Sequence, residues 1–226
     1  MTLGLDQIFC NVLPLGSLRG SLGICTPLGV WAFPYAFIIQ RRNRHKQNDK
    51  SLMELKMKIA IVGYSGSGKS TLAQKLAKKY QTDILHFDTV QFLPDWKIRS
   101  DKEKKKITEH FLNTHDSWVI DGNYSKLFYE RRMAEADVII LLLFNRFVCL
   151  HRAYRRYIKY KNTTRPDMAE GCKEKFDLAF IKWILWDGRR KSAKERYKWL
   201  ISKYGDKTIV IKNQKQLDTY IQSISK

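Results

Sequence analysis

Downstream of residue 56, short apolar runs alternate with amphipathic stretches of helical period. Lys58–Val62 reads as a short buried strand, and Leu72, Ala73, Leu76 and Ala77 fall at helical spacing in the stretch Thr71–Tyr80. Ile84, Leu85 and Phe87 predict a second strand with Asp88 at its C-terminal end. A loop over 89–96 follows, carrying Phe92, Pro94 and Trp96. Ser100–Thr114 predicts a basic helix with Ile107, Phe111 and Leu112 inward and Lys102, Lys104, Lys105 and Lys106 in solvent. Ser117–Asp121 reads as a third strand and 127–134 as a short helix. The most apolar run, Asp137–Leu143, reads as a central strand. Arg146–Tyr160 is a basic helix, and 161–172 a mobile turn. Lys173–Tyr204 is helical, with Phe176, Phe180, Trp183, Ile184, Trp199 and Leu200 on its apolar face and Gly188 near its middle. Thr208–Ile211 and Gln214–Ile224 supply a last strand and a closing helix. This alternation argues for an α/β fold, a parallel sheet covered by helices on both faces.

Residues 1–56 have a different character. The first forty carry two charged residues, Asp6 and Arg19. Gly20–Gln40 is mostly apolar, broken by Pro27, Gly29 and Pro34, and the basic cluster Arg41, Arg42, Arg44, His45 and Lys46 follows. Three readings fit: a frame begun too early, with the start at Met53 or Met57; a membrane anchor over 20–40 with its basic flank inside; or a loosely packed or disordered extension. A secretory signal fits poorly, since no basic segment precedes the apolar part. The expected division is an N-terminal extension, 1–56, and a folded domain, 57–226.

The formal net charge is +20, and 146–203 alone hold 17 Lys/Arg against 6 Asp/Glu. The basic excess therefore lies downstream of the glycine-rich stretch and favours an anionic partner: nucleotide phosphates, with nucleic acid as the second option. Cys10, Cys25, Cys149 and Cys172 show neither a C-x-x-C pair nor zinc spacing. Reduced thiols and a cytoplasmic location follow as expectations, with Cys149 in the core.

The chemistry concentrates at Gly63-Tyr-Ser-Gly-Ser-Gly-Lys-Ser-Thr71, which satisfies G-x-x-x-x-G-K-[ST] between a strand and a helix. Glycines at 63, 66 and 68 allow successive N–H groups to turn inward around a polyphosphate, and the helix aims its positive end at the same anion. Gly63, Ser65, Gly66, Ser67, Gly68, Lys69, Ser70 and Thr71 are thus the candidate nucleotide cradle. Lys69 is placed for the terminal phosphates and the Ser70 hydroxyl for Mg²⁺. Asp121, ending the third strand, is the candidate second Mg²⁺ support, and Asp88 faces an acceptor hydroxyl or the metal. Arg152 and Arg156, four apart on one helix, and Arg165 in the turn are candidates to close over the reacting phosphates.

Gly63–Thr71, His86-Phe-Asp88, Val119-Ile-Asp121-Gly-Asn-Tyr124, the strand from Ala136, and Arg165-Pro-Asp with Gly171-Cys-Lys-Glu174 and Trp183 together resemble bacterial DNA topology modulation proteins of the FlaR type. These are grouped with the adenylate-kinase-related P-loop proteins. The resemblance covers 57 to about 224 and implies a P-loop NTPase of the nucleoside/nucleotide kinase type. It implies a five-stranded sheet ordered 2-3-1-4-5 and an arginine-bearing lid over about 146–175. It also implies an ATP- and Mg²⁺-dependent kinase acting on an unidentified small-molecule acceptor. Asp121-Gly-Asn-Tyr124 resembles the Asp-Gly-Phe-Pro-Arg stretch of adenylate kinases but lacks its arginine, which argues against AMP as acceptor. Asp88 resembles instead a carboxylate that activates an acceptor hydroxyl. The alternative function is a nucleotide-switched, basic, DNA-associated regulator, although no helix-turn-helix or zinc-finger motif is present.

Overall fold

The apolar runs form strands; the first stops at Gly63 and the third at Asp121, whereas the strand from Val138 stops at Leu142 inside a run that continues to Phe144. The computed structural model describes residues 56–225. The readings of the 20–40 stretch and of Met53 as a start lie outside the described residues. Five strands, β1 (Lys58–Gly63), β2 (Asp83–His86), β3 (Trp118–Asp121), β4 (Val138–Leu142) and β5 (Thr208–Ile211), pair in parallel in the order β2-β3-β1-β4-β5. All five residues of β4 are buried, so both faces of the sheet are covered, as a continuous apolar run requires.

Helix α1 (Lys69–Tyr80) lays Leu72, Ala73, Leu76 and Ala77 against the sheet. Ala60, Val62, Ile120, Ile139 and Leu141 belong to a core cluster with Phe87, Leu112, Met133, Tyr197 and Leu200. These come from α2 (Phe87–Gln91), α3 (Asp101–Thr114), α4 (Tyr129–Glu135) and α7 (Lys191–Tyr204). The remaining helices are α5 (Arg146–Tyr160), α6 (Leu178–Leu185) and α8 (Gln214–Ser225). Among the described residues, no helix is long and apolar enough to cross a membrane.

Four expectations are corrected. Strand β2 ends at His86, and Phe87 turns inward to start α2, so Asp88 stands in a helical first turn rather than on the strand. Lys104 is buried, not solvated; its ammonium pairs with Asp101 at 2.6 Å and bonds Gln91 at 3.2 Å, while its stem packs. The helix expected over 173–204 breaks into α6, a 3-10 turn at Asp187–Arg189, and α7. Gly188 lies at that break, where a Cβ would come within 3.0 Å of Trp183 O. Segment 161–172 is packed: Arg165, Asp167, Met168 and Cys172 are buried, and Thr164 bridges Lys173.

A buried arginine fixes the loop after β3. Arg132 donates to Leu127 O at 2.8 Å, Gly122 O at 3.3 Å and Tyr124 O at 2.7 Å, and stacks 4.2 Å from the Phe87 ring centre. Burial works against its charge, and those three carbonyls and the ring face offset the cost. Arg132→Met should leave the carbonyls unpaired, cost about 3 kcal/mol and lower the melting midpoint by roughly 10 °C. Arg132→Lys should recover only part of the loss, since one ammonium cannot span three carbonyls. A Met variant melting with the parent would show that these contacts contribute nothing.

Candidate active site

Parallel register assembles the site at the C-terminal edge of the sheet. Asp121 lies beside Ile61 on one side and His86 on the other, so the carboxylate flanks the loop that leaves β1. That loop is forced into a tight path. Gly63 has φ 140°, and a Cβ there would sit 2.2 Å from Leu142 O. Gly66 has φ 75°, and its Cβ would sit 2.4 Å from Cys149 O. Asn123 grips the loop's entry: Gly63 N–H donates to its Oδ1 at 2.9 Å, and its Nδ2 donates to Gly63 O and to the Tyr197 hydroxyl.

The candidate cradle is built as follows. Ser67 is fully buried, and its hydroxyl has no partner. Lys69 Nζ crosses the loop to Tyr64 O at 3.0 Å. Gly68, left-handed at φ 93°, precedes α1 without a side-chain cap, so the first N–H groups of that twelve-residue helix face the loop. Thr71 is exposed and, with Ser65, Lys69 and Ser70, lines a cleft of about 1190 Å³. Ser70 and Asp121 line the same cleft. Burial opposes ionisation of Asp121, but His86, the charge of Lys69 and the Ser70 hydroxyl together hold its carboxyl below the usual range. His86 Nδ1 lies 3.2 Å from Asp121 Oδ2, whereas the buried Oδ1 has no partner. A buried orphan carboxylate oxygen beside a hydroxyl is a hard-oxygen pair that suits Mg²⁺ completed by phosphate oxygens and water. Among the described residues, no cluster of three or more His, Cys, Asp or Glu forms a protein-only metal cage.

Asp88 faces the same cleft with its side chain 40% exposed. Tyr124 donates its hydroxyl to Asp88 Oδ1 at 2.8 Å, and Arg165 lies 3.5 Å from Oδ2. The three candidate arginines divide. Arg152 reaches the loop, donating to Ser67 O at 2.7 Å and to Gln214 Oε1, and it stacks on Phe144. Arg156 pairs with Glu174 at 2.7 Å. Arg165 is buried among Asp167 at 2.9 Å, Glu174 at 2.8 Å and Asp88. Cys149 and Cys172 are buried and free.

Several site residues escape sequence reasoning. Glu174 joins Arg156 to Arg165, and Trp183 Nε1 donates to Ser65 Oγ at 3.1 Å, across 118 positions. Arg189 stacks 3.8 Å from the Tyr64 ring centre. Glu174, Trp183, His86 and Asn123 stand inside the stretches that carry the resemblance, but no local pattern marks their contacts, and none marks Arg189 at all.

The glycine loop, its helix and the 2-3-1-4-5 sheet define a P-loop NTPase of kinase-type fold. Comparisons with known proteins give partial matches. A family model described as the NB-ARC domain matches residues 43–150, under half of the chain. Adenylate isopentenyltransferase 7, mitochondrial, from Arabidopsis thaliana is 32% identical over 96 residues, covering 40% of this chain and 29% of that protein. The mating factor M secretion protein mam1 of Schizosaccharomyces pombe is 44% identical over 55 residues, 24% of this chain and 4% of its own length. This chain therefore spans under a third of either curated relative. Among solved structures, shikimate kinase from Acinetobacter baumannii with shikimate aligns with a TM-score of 0.49 at 17% identity, over 76% of this chain and 92% of that one. Deoxyadenosine kinase from M. mycoides with dATP gives 0.41 at 18%, over 75% and 100%.

The Asn123 clamp generates a test. Asn123→Ala should strand both Gly63 groups and cost about 2 kcal/mol in chemical denaturation. Asn123→Asp keeps the acceptor but sets an anion against Gly63 O, so it should be at least as destabilising. An Asp variant as stable as the parent would mean that the amide pair does not hold the loop.

Proposed function

We propose that residues 57–226 form an ATP-dependent, Mg²⁺-requiring phosphotransferase that moves the γ-phosphoryl group to a hydroxyl of a small acceptor. The observation that carries this reading is convergence: Lys69, Ser70, Asp121 and Asp88 all line one cleft. The match to an isopentenyltransferase supports group transfer on such a scaffold. The sequence resemblance to FlaR-type proteins supports a kinase-like fold, while that family's name also motivates the DNA-associated alternative.

The roles follow from the contacts. Gly63–Thr71 bind the nucleotide phosphates through backbone N–H groups, with Lys69 on the β and γ phosphates. Ser70 and Asp121 hold Mg²⁺, which when bound neutralises charge on the transferring group. His86 orients Asp121 by engaging its other oxygen. Asp88 orients the acceptor hydroxyl and takes its proton, with Tyr124 fixing the carboxylate. Arg152, which reaches the loop at Ser67 O, would stabilise charge that develops on the phosphates. Arg156 and Arg165 hold the segment 146–175 over the cleft through Glu174, and so exclude water.

The second reading, a nucleic-acid-associated regulator whose partner is DNA, rests on the 17 Lys/Arg against 6 Asp/Glu in 146–203. A salt titration separates the two. Specific association should keep micromolar or tighter affinity near 0.2 M salt, while plain charge attraction should fade with a steep log–log slope.

The decisive assay is ATP consumption by the full chain with Mg²⁺ against a panel of hydroxyl compounds. Lys69→Ala should lower turnover by at least about 10²-fold with the melting midpoint kept. Asp88→Asn should cost roughly 10²- to 10⁴-fold in transfer while nucleotide binding survives. A fully active Lys69→Ala protein would sink the assignment.

A further inference from the structure

An arginine keeps its charge at every accessible pH, and one drawn partly out of water needs an acceptor. Of the cleft's other guanidinium groups, Arg155 is exposed to water and the remaining three are supplied. Arg156 and Arg165 face Glu174, Asp167 and Asp88, and Arg152 holds a backbone carbonyl and Gln214. Arg196 on α7 differs. It is partly buried and lines the cleft, yet among the described residues no hydrogen bond or ion pair engages it.

Its position is fixed by its neighbours. Tyr197, next in the chain, accepts a hydrogen bond from Asn123 at 3.1 Å and packs edge-on against Tyr64, with ring centres 5.4 Å apart. The charge of Arg196 acts on the hydroxyls of Tyr129 and Tyr197. It therefore stands beside the loop after β3, the loop whose Tyr124 holds Asp88. Asp121-Gly-Asn-Tyr124 contains no arginine of its own; the fold brings one to it from α7. Nine Lys/Arg and six Asp/Glu line the cleft, so its charge is net positive. Two of those acids, Asp167 and Glu174, are committed to Arg156 and Arg165.

We infer that Arg196 forms an oxyanion subsite on the acceptor side of the cleft, so that the acceptor is a hydroxyl compound also bearing a phosphate or carboxylate. The inference rests on the kinase reading above and names its substrate class. The guanidinium fork pairs with two oxygens of such a group, while the hydroxyl of the same molecule meets Asp88. Neutral alcohols of similar shape lack this anchor and leave the charge of Arg196 unmatched, which discriminates against them.

The test uses the full chain saturated with Mg²⁺ and a non-hydrolysable ATP analogue. Inorganic phosphate, then acetate, is titrated calorimetrically into the parent, Arg196→Ala and Arg196→Lys. Phosphate should bind the parent together with the analogue. It should bind Arg196→Ala about 10-fold or more weakly and Arg196→Lys in between, with analogue affinity equal in all three. Acetate binding as well as phosphate would assign a carboxylate acceptor; phosphate alone would assign a phosphate ester. Equal phosphate affinity in the parent and Arg196→Ala overturns the subsite, as does phosphate that competes with the analogue or binding of neither anion. Failure of the parent to bind the analogue would defeat the kinase reading itself, and the subsite with it.

Discussion

Everything at the site depends on how closely the chain passes β4 as it leaves β1. Gly63 pairs with Leu142 in register, and no side chain fits between them. That approach sets the start of the loop, the Asn123 amide locks it, and α1 then departs with its N-terminus toward the loop. The sheet order is part of the same constraint. Only with β3 beside β1 does Asp121 flank the loop that carries Lys69 and Ser70, and only with β2 beside β3 does His86 reach Asp121.

What could be read from the chain in advance follows from the range of the forces involved. Gly63, Gly66 and Gly68, Lys69 and Ser70 lie within one turn of backbone, so spacing alone defines their relation. Strands such as Val138–Leu142 announce themselves because burial on both faces demands an unbroken apolar run. Asp88 lines the cleft, but from the first turn of α2 rather than from the strand, because Phe87 is buried as the start of that helix. Lys104 was misplaced for a different reason. Its helix is correct and its face is not: Asp101 pairs with it within the helix, but Gln91 and the packing of its stem come only when α3 packs beside α2. Glu174, Trp183 and Arg196 belong to the excursion between β4 and β5. Their contacts there depend on tertiary packing that no local period encodes.

The ion cluster in that excursion is balanced rather than strongly stabilising. Burial and the neighbouring charge of Arg165 both press against the charge of Arg156, and Glu174 opposes them. Arg165 meets Glu174 at 2.8 Å without the alignment of a good hydrogen bond, so part of the desolvation cost goes unreturned. A cluster of this kind adds little net stability but fixes which groups meet. It ties segment 165–174 to α5 and, through Asp88, to the body of the domain.

Asp88 is the point where that cluster touches the proposed chemistry. Burial, and then the negative charge of Asp88, push the Tyr124 hydroxyl well above the ordinary tyrosine range, so it remains a donor at any working pH. A donor that cannot ionise holds one carboxylate oxygen, and Arg165 stands 3.5 Å from the other. At that distance, with Asp88 40% exposed, the ion pair is weak and the second oxygen stays accessible to a hydroxyl. A tighter pair would make Asp88 a structural anion. The looser one leaves a carboxylate that Tyr124 orients and that stays open to the cleft.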